Sequence, residues 1–264
     1  KMIKKIIKTL LILGFLAFIA VLSGIFYIFN KYNKDLPDHQ QLKAYYPSIS
    51  TRIYAKDGSL VEEYSKEKRI FIPIEIIPKR VINAFLSAED SNFYQHIGID
   101  VVAIARAAIS NAISVSQSGQ ISGGASTITQ QVVKNFLLSS ERSIERKIKE
   151  AILAIRMSKY FSKDEVLELY LNQIYLGSGS YGVVAASQIY FNKAISDLTI
   201  EEAALLAALP KAPSKLDPYK NKKGARDRRN WVIERMFAEK YISKEELEAA
   251  KKTDIILDKS SVKR

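Results

Sequence analysis

Two adjacent carboxylates, Glu89 and Asp90, follow an apolar run that has the spacing of a buried helix. Continued at about 3.6 residues per turn, this helix places Glu89 on one stripe with Val81, Phe85 and Phe93. A carboxylate held against apolar side chains loses hydration in its charged form, so we expect a raised pKa and a role as proton acceptor or donor near neutral pH. Asp90 is rotated away by about 100°. A partly exposed glutamate at a frayed helix end explains the stretch equally well.

A second stretch, SGGASTITQQVVKNFLL from Ser122 to Leu138, combines a glycine turn with a helix start. Ser126 or Thr127 can cap this helix, and Lys134 follows about two turns later. Free N–H groups at a helix N-terminus, with a nearby lysine, predict a cradle for phosphate or pyrophosphate. The alternative is a polar cap on a structural helix. The spacing of a Walker loop is absent.

The third stretch, from Ser139 to Phe161, predicts an amphipathic helix. Its apolar face contains Ile144, Ile148, Ala151, Ile152 and Ile155. Arg146 and Glu150 lie on another face at the i, i+4 spacing, which taken alone predicts a surface ion pair worth about 0.3 kcal/mol. The helix and the residues just before it also carry a basic cluster that suits phosphate or lipid headgroups: Arg142, Arg146, Lys147 and Lys149.

Other kinds of catalytic centre are poorly supported by the residue types. His96 is one of only two histidines and there is no cysteine, so no set of residues has zinc-ligand spacing. The GxSxG turn of serine hydrolases is also absent. We therefore predict no metal ligands among these residues.

The N-terminal segment indicates a membrane anchor. Residues 9–30 carry no charge, and 22 residues at about 1.5 Å each span the hydrocarbon core of a bilayer. Lysines 4, 5 and 8 precede this segment, so the positive-inside rule favours a cytoplasmic tail at 1–8 and a domain outside the cytoplasm. The net charge of +12 predicts a negatively charged partner: nucleic acid, anionic lipid or a phosphate-bearing substrate.

The remaining chain is predicted as a linker at 31–50, a domain at 51–250, and a final segment at 251–264. Asp57 and Gly58 indicate a β-hairpin, and a second β-like piece covers 69–74. Helices dominate from Val81 onward. Ser162, Thr199 and Ser243 each precede a glutamate by three residues, which predicts three capping boxes. The helix that starts at Lys163 is apolar nearly all round, so we place it at the centre of the domain.

Five stretches in order resemble the motifs of the peptidoglycan glycosyltransferases, the lysozyme-like domains of class A penicillin-binding proteins. They are EDSNFYQHIG, GGASTITQQ, RKIKE, SKDEVLELYLNQIYLG and RRNWVIERM. The resemblance covers residues 50 to 240. It implies a mainly α, two-lobed lysozyme-like domain with a short β-hairpin at its start, preceded by one transmembrane helix. It also implies that a transpeptidase domain would follow.

The resemblance implies a role for each matching residue. Glu89 would be the general base, with Asp90 as an auxiliary acid and Glu150 as a second catalytic carboxylate. The implied substrate contacts are Ser126, Thr127, Gln130, Gln131, Lys134, Asn135, Arg142, Arg146, Lys147, His96 and Arg229. Arg228 would support them, whereas Glu168, Tyr170 and Asn172 are expected to be structural.

The implied reaction polymerises lipid II into glycan strands at the outer face of the cytoplasmic membrane. Lipid II, lipid-linked glycan, the membrane and other cell-wall synthesis proteins would be partners, and nucleic acid would not. No cofactor is required, although Mg²⁺ or Mn²⁺ could assist the pyrophosphate leaving group. The alternatives are a lysozyme-like hydrolase or lytic transglycosylase, which cleaves peptidoglycan, and a non-enzymatic membrane-tethered module that binds anionic lipid.

Overall fold

Ten α-helices, three short 3₁₀ helices and two short strands form the secondary structure of the described residues. The computed structural model describes residues 2–33, 36, 51–54, 60–64, 70–118, 126–134 and 143–258. The helices are α1 (Met2–Asn33), α2 (Lys79–Glu89), α3 (Val101–Ser118), α4 (Ile128–Val133), α5 (Ile144–Tyr160), α6 (Lys163–Gln173), α7 (Val183–Phe191), α8 (Ile200–Ala208), α9 (Lys222–Ala238) and α10 (Lys244–Lys252). The mainly α fold class predicted from the sequence is confirmed.

The apolar N-terminal segment forms a single long helix, α1. Its apolar side chains are exposed along most of its length, including Leu11, Phe15 and Phe26. The stretch Lys4–Asn33 is long and apolar enough to cross a membrane. The predicted boundaries of the tail, linker and domain remain predictions.

The predicted hairpin is present as two antiparallel strands, β1 (Thr51–Tyr54) and β2 (Leu60–Tyr64). The turn between them lies outside the described residues. The second β-like piece does not form a strand within its described residues: 70–73 is irregular, and Ile74–Ile76 is a 3₁₀ turn. Asn172 takes the place of a neighbouring strand, because its side chain accepts from the Ile72 N–H and donates to the Ile72 oxygen, both at 2.9 Å.

The three predicted capping boxes all form. Ser162, Thr199 and Ser243 each accept from a backbone N–H three residues later, and each glutamate at that position returns a hydrogen bond. These caps fix where α6, α8 and α10 begin.

The core lies around α6 and α8. Leu167, Tyr170 and Leu171 of α6 are buried, and six residues of α8 are buried in succession from Ala203 to Ala208. Helix α8 packs against α9 and α2, while α4 packs against α5 and α6. The side chain of Glu168 accepts from the Ile74 N–H at 2.8 Å and so helps to hold the 70–77 segment on α6. The central place predicted for α6 agrees with its burial.

Helix α2 ends earlier than the stripe of Val81, Phe85, Glu89 and Phe93 requires. Glu89 is its last residue, and Asp90 leaves the helix with φ −162° and ψ 76°. Phe93 is fully buried, but it lies in the turn that follows and not on α2. Ending the helix here turns the two carboxylates toward different surroundings.

Candidate active site

A cleft of about 510 Å³ opens at the C-terminal end of α2. One wall consists of residues 87–92, and α3 and α9 contribute others. Of the predicted site residues, Glu89, Asp90, Ser126 and Thr127 line this cleft. Several further residues that line the cleft were not predicted from the sequence: Asn92, Asp100, Arg106, Asn111, Trp231 and Arg235.

Glu89 is half-buried at the wall of the cleft. Its Oε2 accepts a hydrogen bond of 2.7 Å from Nε2 of Gln131 on α4. Desolvation raises the pKa of Glu89, and the charge of Asp90 acts in the same direction. The Gln131 hydrogen bond and the positive charge of Arg228 oppose this effect without cancelling it. The raised pKa expected from the sequence is therefore present in the structure.

Asp90 is buried and belongs to the scaffold of the site. Its Oδ2 accepts from the Ile128 N–H at the start of α4, at 3.0 Å. The same oxygen lies 2.9 Å from Nε2 of His96. Nδ1 of His96 accepts from the Gly98 N–H at 3.1 Å, so Nε2 carries the ring proton and donates a hydrogen bond to Asp90. Both ring nitrogens of His96 are engaged within the protein, which makes His96 a positioning residue in this structure, and its substrate contact stays a prediction.

Two N–H groups at the start of α4, which the sequence predicts as part of a phosphate cradle, are engaged within the protein, and the preceding residues 122–125 lie outside the described residues. The Ile128 N–H binds Asp90, and the Gln130 N–H donates to Oγ1 of Thr127 at 3.1 Å. Oε1 of Gln130 accepts from the Thr127 N–H, and the Thr127 hydroxyl donates to the Gly98 oxygen at 2.6 Å. Thr127 and Gln130 are buried and form a reciprocal cap, so the alternative of a structural cap is correct for these two residues.

Glu150 is buried and pairs with two cations, so the surface ion pair predicted for it is wrong. Its Oε1 accepts from Nε of Arg146 at 3.2 Å, and its Oε2 accepts from Nζ of Lys147 at 2.8 Å. Nζ of Lys147 also donates to Oγ of Ser126 at 2.8 Å, which links this cluster to the cleft. Ile144, by contrast, is exposed. The buried residues of α5 are Glu150, Ile152, Leu153, Ala154 and Met157, so Ile152 is buried as predicted, and Glu150 lies on the buried side of the helix.

The two arginines of the fifth motif have different surroundings. Arg229 is buried and donates to Asn230 and to the backbone oxygens of Lys251 and Thr253, which places it in the packing of α9 against α10. Arg229 is not among the residues that line the cleft, and its substrate contact stays a prediction. Arg228 stacks on Trp231, with its guanidinium carbon 3.7 Å from the ring centre, and its charge acts on Glu89.

The period of an α-helix assigns these two arginines to different faces of α9. Arg229 falls on the stripe of Ala225, Val232 and Met236, all buried. Positions 228, 231 and 235 form the neighbouring stripe, and two of them line the cleft.

Three predicted substrate contacts remain. Lys134 is exposed just after α4. Asn135 and Arg142 lie outside the described residues.

No group of three His, Asp or Glu side chains that could hold a metal ion occurs in the part of the chain that the structure describes. Asp90 already accepts from Ile128 and His96, and Asp100 accepts from the Ala103 N–H at 2.8 Å and from Asn92 at 3.0 Å. The described residues thus offer no ready set of ligands for the Mg²⁺ or Mn²⁺ that the resemblance implies, and we derive no step through a metal.

Comparisons with known proteins identify relatives of this chain. The family described as Transglycosylase matches residues 57–237. Penicillin-binding protein 1A of Rickettsia felis is 53% identical over 233 residues, which are 88% of this chain and 29% of that protein. Penicillin-binding protein 1A of Vibrio cholerae is 43% identical over 252 residues, 96% of this chain and 30% of that protein. The crystal structure of Penicillin-Binding Protein 1A from Haemophilus influenzae matches 81% of this chain and 22% of its own, at 31% identity and a TM-score of 0.45.

These findings define the class of protein. The family match covers more than half of the chain, so the chain belongs to the transglycosylase family. It is accordingly a peptidoglycan glycosyltransferase, and the resemblance drawn from the five motifs is confirmed. The chain spans less than a third of the length of the relatives compared above.

Proposed function

We propose that this chain polymerises lipid II into glycan strands. The growing lipid-linked chain is the donor, and the 4-hydroxyl of the lipid II sugar is the acceptor. The transfer inverts the configuration at C1 and releases undecaprenyl pyrophosphate. The observation that carries the proposal is a glutamate of raised pKa, Glu89, at the wall of a cleft large enough for sugar units.

Glu89 acts as the general base. Its carboxylate accepts the proton of the acceptor hydroxyl while that oxygen bonds to C1 of the donor. The bond between C1 and the pyrophosphate oxygen breaks, and its electron pair leaves with the pyrophosphate. A raised pKa supports this role because a stronger base drives the proton transfer, provided that it is ionised at the working pH. Gln131 orients the carboxylate through its 2.7 Å hydrogen bond.

The cluster on α5 receives the pyrophosphate. Arg146 and Lys147 carry two positive charges against the one negative charge of Glu150, so the cluster retains a positive charge. The side chain of Lys147 is 51% exposed and bonds to Ser126 at the cleft. An ammonium group and a hydroxyl at this place suit a developing phosphate charge. Glu150, proposed from the motifs as a second catalytic carboxylate, orients both cations.

The position of the anchor supports a membrane-bound substrate. Helix α1 has the length and composition of a membrane span, and its C-terminal end contacts α5, which carries the pyrophosphate cluster. We propose a single-pass topology with the N-terminus in the cytoplasm and the catalytic domain on the outer face. The partners are then lipid II, lipid-linked glycan and the surrounding membrane.

Product analysis tests this function. The chain, reconstituted in vesicles with lipid II labelled on its sugar, should yield labelled strands of many disaccharides together with free undecaprenyl pyrophosphate. Pre-formed peptidoglycan added to the same vesicles should remain intact. Shortened peptidoglycan without strand growth would instead identify a hydrolase or lytic transglycosylase, and binding without turnover would identify a non-enzymatic module.

A further inference from the structure

The end of α1 is held on α5 by the guanidinium group of Arg156. Its Nη2 donates to the backbone oxygen of Asn33 at 2.7 Å and to the Asn33 side-chain oxygen at 2.6 Å. Its Nη1 donates to the backbone oxygen of Leu36 at 3.0 Å. The last carbonyl groups of an α-helix have no partner within the helix, and the planar fork of an arginine can satisfy several acceptors at once. Arg156 therefore caps the C-terminal end of the anchor.

Further contacts with the anchor lie on the same side of α5. Lys149 precedes Arg156 by seven residues, which places both on one stripe of the helix. The ammonium group of Lys149 lies 5.8 Å from the centre of the Tyr32 ring, and it pairs with Glu145 at 2.7 Å. The pKa of Glu145 is lowered mainly by this bond to Lys149 and further by the charge of Lys31. The contact between α1 and α5 thus extends over about three turns of α5.

Helix α5 also carries the pyrophosphate cluster. Arg146 and Glu150 occupy a stripe rotated by about 100° from that of Lys149 and Arg156. Glu150 and Arg156 are separated by six residues, or about 9 Å along the axis. Because an α-helix of this length is stiff, a displacement of the anchor contact moves the cluster with it.

We propose that Arg156 is a positioning residue that sets the height and tilt of the cleft above the bilayer. A substrate whose lipid tail stays in the membrane presents its pyrophosphate at a fixed level, and the Arg156 contact brings the α5 cluster to that level. This proposal rests on the proposed function for its substrate. It requires that replacing Arg156 lowers the polymerisation rate when enzyme and substrate share a bilayer. The same replacement should change the rate little when both are in detergent micelles.

Trp231 allows the height to be measured, since it lines the cleft and is the only tryptophan of the chain. Energy transfer from Trp231 to dansyl-labelled headgroups, in vesicles of phosphatidylethanolamine and phosphatidylglycerol, reports its distance from the bilayer surface. We expect Arg156→Ala to change this transfer and to lower the polymerisation rate in vesicles by roughly tenfold to a hundredfold, the loss that a misplacement of about 1 Å can cause. The rate in micelles should stay close to that of the unchanged chain.

Two further variants distinguish an effect of Arg156 on the height of the cleft from a general loss of structure. Arg80→Ala is the matched control, because Arg80 also donates to a backbone oxygen, that of Leu198 at 2.9 Å, away from the anchor. It should leave the energy transfer unchanged. Asn33→Ala removes one acceptor from the anchor side without altering the domain, and it should shift both readouts in the same direction as Arg156→Ala but less far.

An energy transfer for Arg156→Ala equal to that of Arg80→Ala would overturn the proposal. An equal loss of rate in vesicles and micelles would overturn it as well. Should the unchanged chain fail to polymerise lipid II at all, the proposed function fails, and the energy transfer still decides whether Arg156 sets the height of the cleft.

Discussion

At the scale of single residues, the two adjacent carboxylates do different work. Glu89 is the last residue of α2 and lies at the cleft, whereas Asp90 turns inward to bind His96 and the start of α4. Helix α4 carries Gln131, which in turn holds Glu89. Asp90 therefore helps to position the proposed base through α4.

The ionisation of Glu89 predicts how the rate depends on pH. The base works only when ionised, and burial raises its pKa above the ordinary value of 4.5. We expect kcat/KM for lipid II polymerisation to rise with pH along a limb whose midpoint lies above 4.5. A limb centred at or below that value would contradict the role of Glu89.

The raised pKa of Glu89 also makes the stability of the fold depend on pH, but stability falls with rising pH where the rate rises. A raised pKa means that the folded chain holds the Glu89 proton more tightly than the unfolded chain does. This contribution is fully present below the unfolded pKa and is lost as the pH rises through the folded pKa. Urea unfolding, measured from the unfolded pKa of Glu89 up through its folded pKa, should show that the free energy of unfolding falls as the pH rises. The fall should be smaller for Glu89→Gln.

At the scale of secondary structure elements, local signals predicted helix starts and tertiary contacts decided the rest. The capping boxes at Ser162, Thr199 and Ser243 formed because each needs only residues three apart in sequence. The burial of Glu150 could not be read from α5 alone, because α4 packs over that face. The bond between Lys147 and Ser126 likewise depends on how α5 packs beside the residues that precede α4.

The loop between α2 and α3 depends on Gly98 where it crosses α5. Gly98 has φ +98°, and an added Cβ would lie 2.3 Å from the Ala154 oxygen. We expect Gly98→Ala to lower the free energy of unfolding by more than the 1–3 kcal/mol, in order of magnitude, that such a backbone conformation costs alone. Gly179→Ala is the control, because φ is +72° there but nothing lies within 4 Å of the added atom.

Urea unfolding of both variants measures the difference. Gly98→Ala should lose more stability than Gly179→Ala, since only Gly98 is in close contact with α5. Equal losses would contradict tight packing of this loop on the helix that carries Glu150.

At the scale of the whole molecule, the sequence predicted more of the function than of the site geometry. Five motifs in order indicated the family that the comparison confirms, and one apolar span indicated a helix long enough to cross a membrane, which the structure contains. The motifs did not distinguish residues that face the cleft from residues that build it. His96, Gln130 and Arg229 belong to conspicuous stretches, yet their polar groups are engaged within the protein.

The polymerisation of labelled lipid II in vesicles by Glu89→Gln tests the central claim most directly. Glu248→Gln serves as the control, because Glu248 is an exposed glutamate on α10. We predict that Glu89→Gln forms no glycan strands, while it binds lipid II and unfolds thermally no earlier than the unchanged chain, and that Glu248→Gln polymerises normally. Strand formation by Glu89→Gln at the rate of the Glu248→Gln control would contradict the assignment of Glu89 as the base.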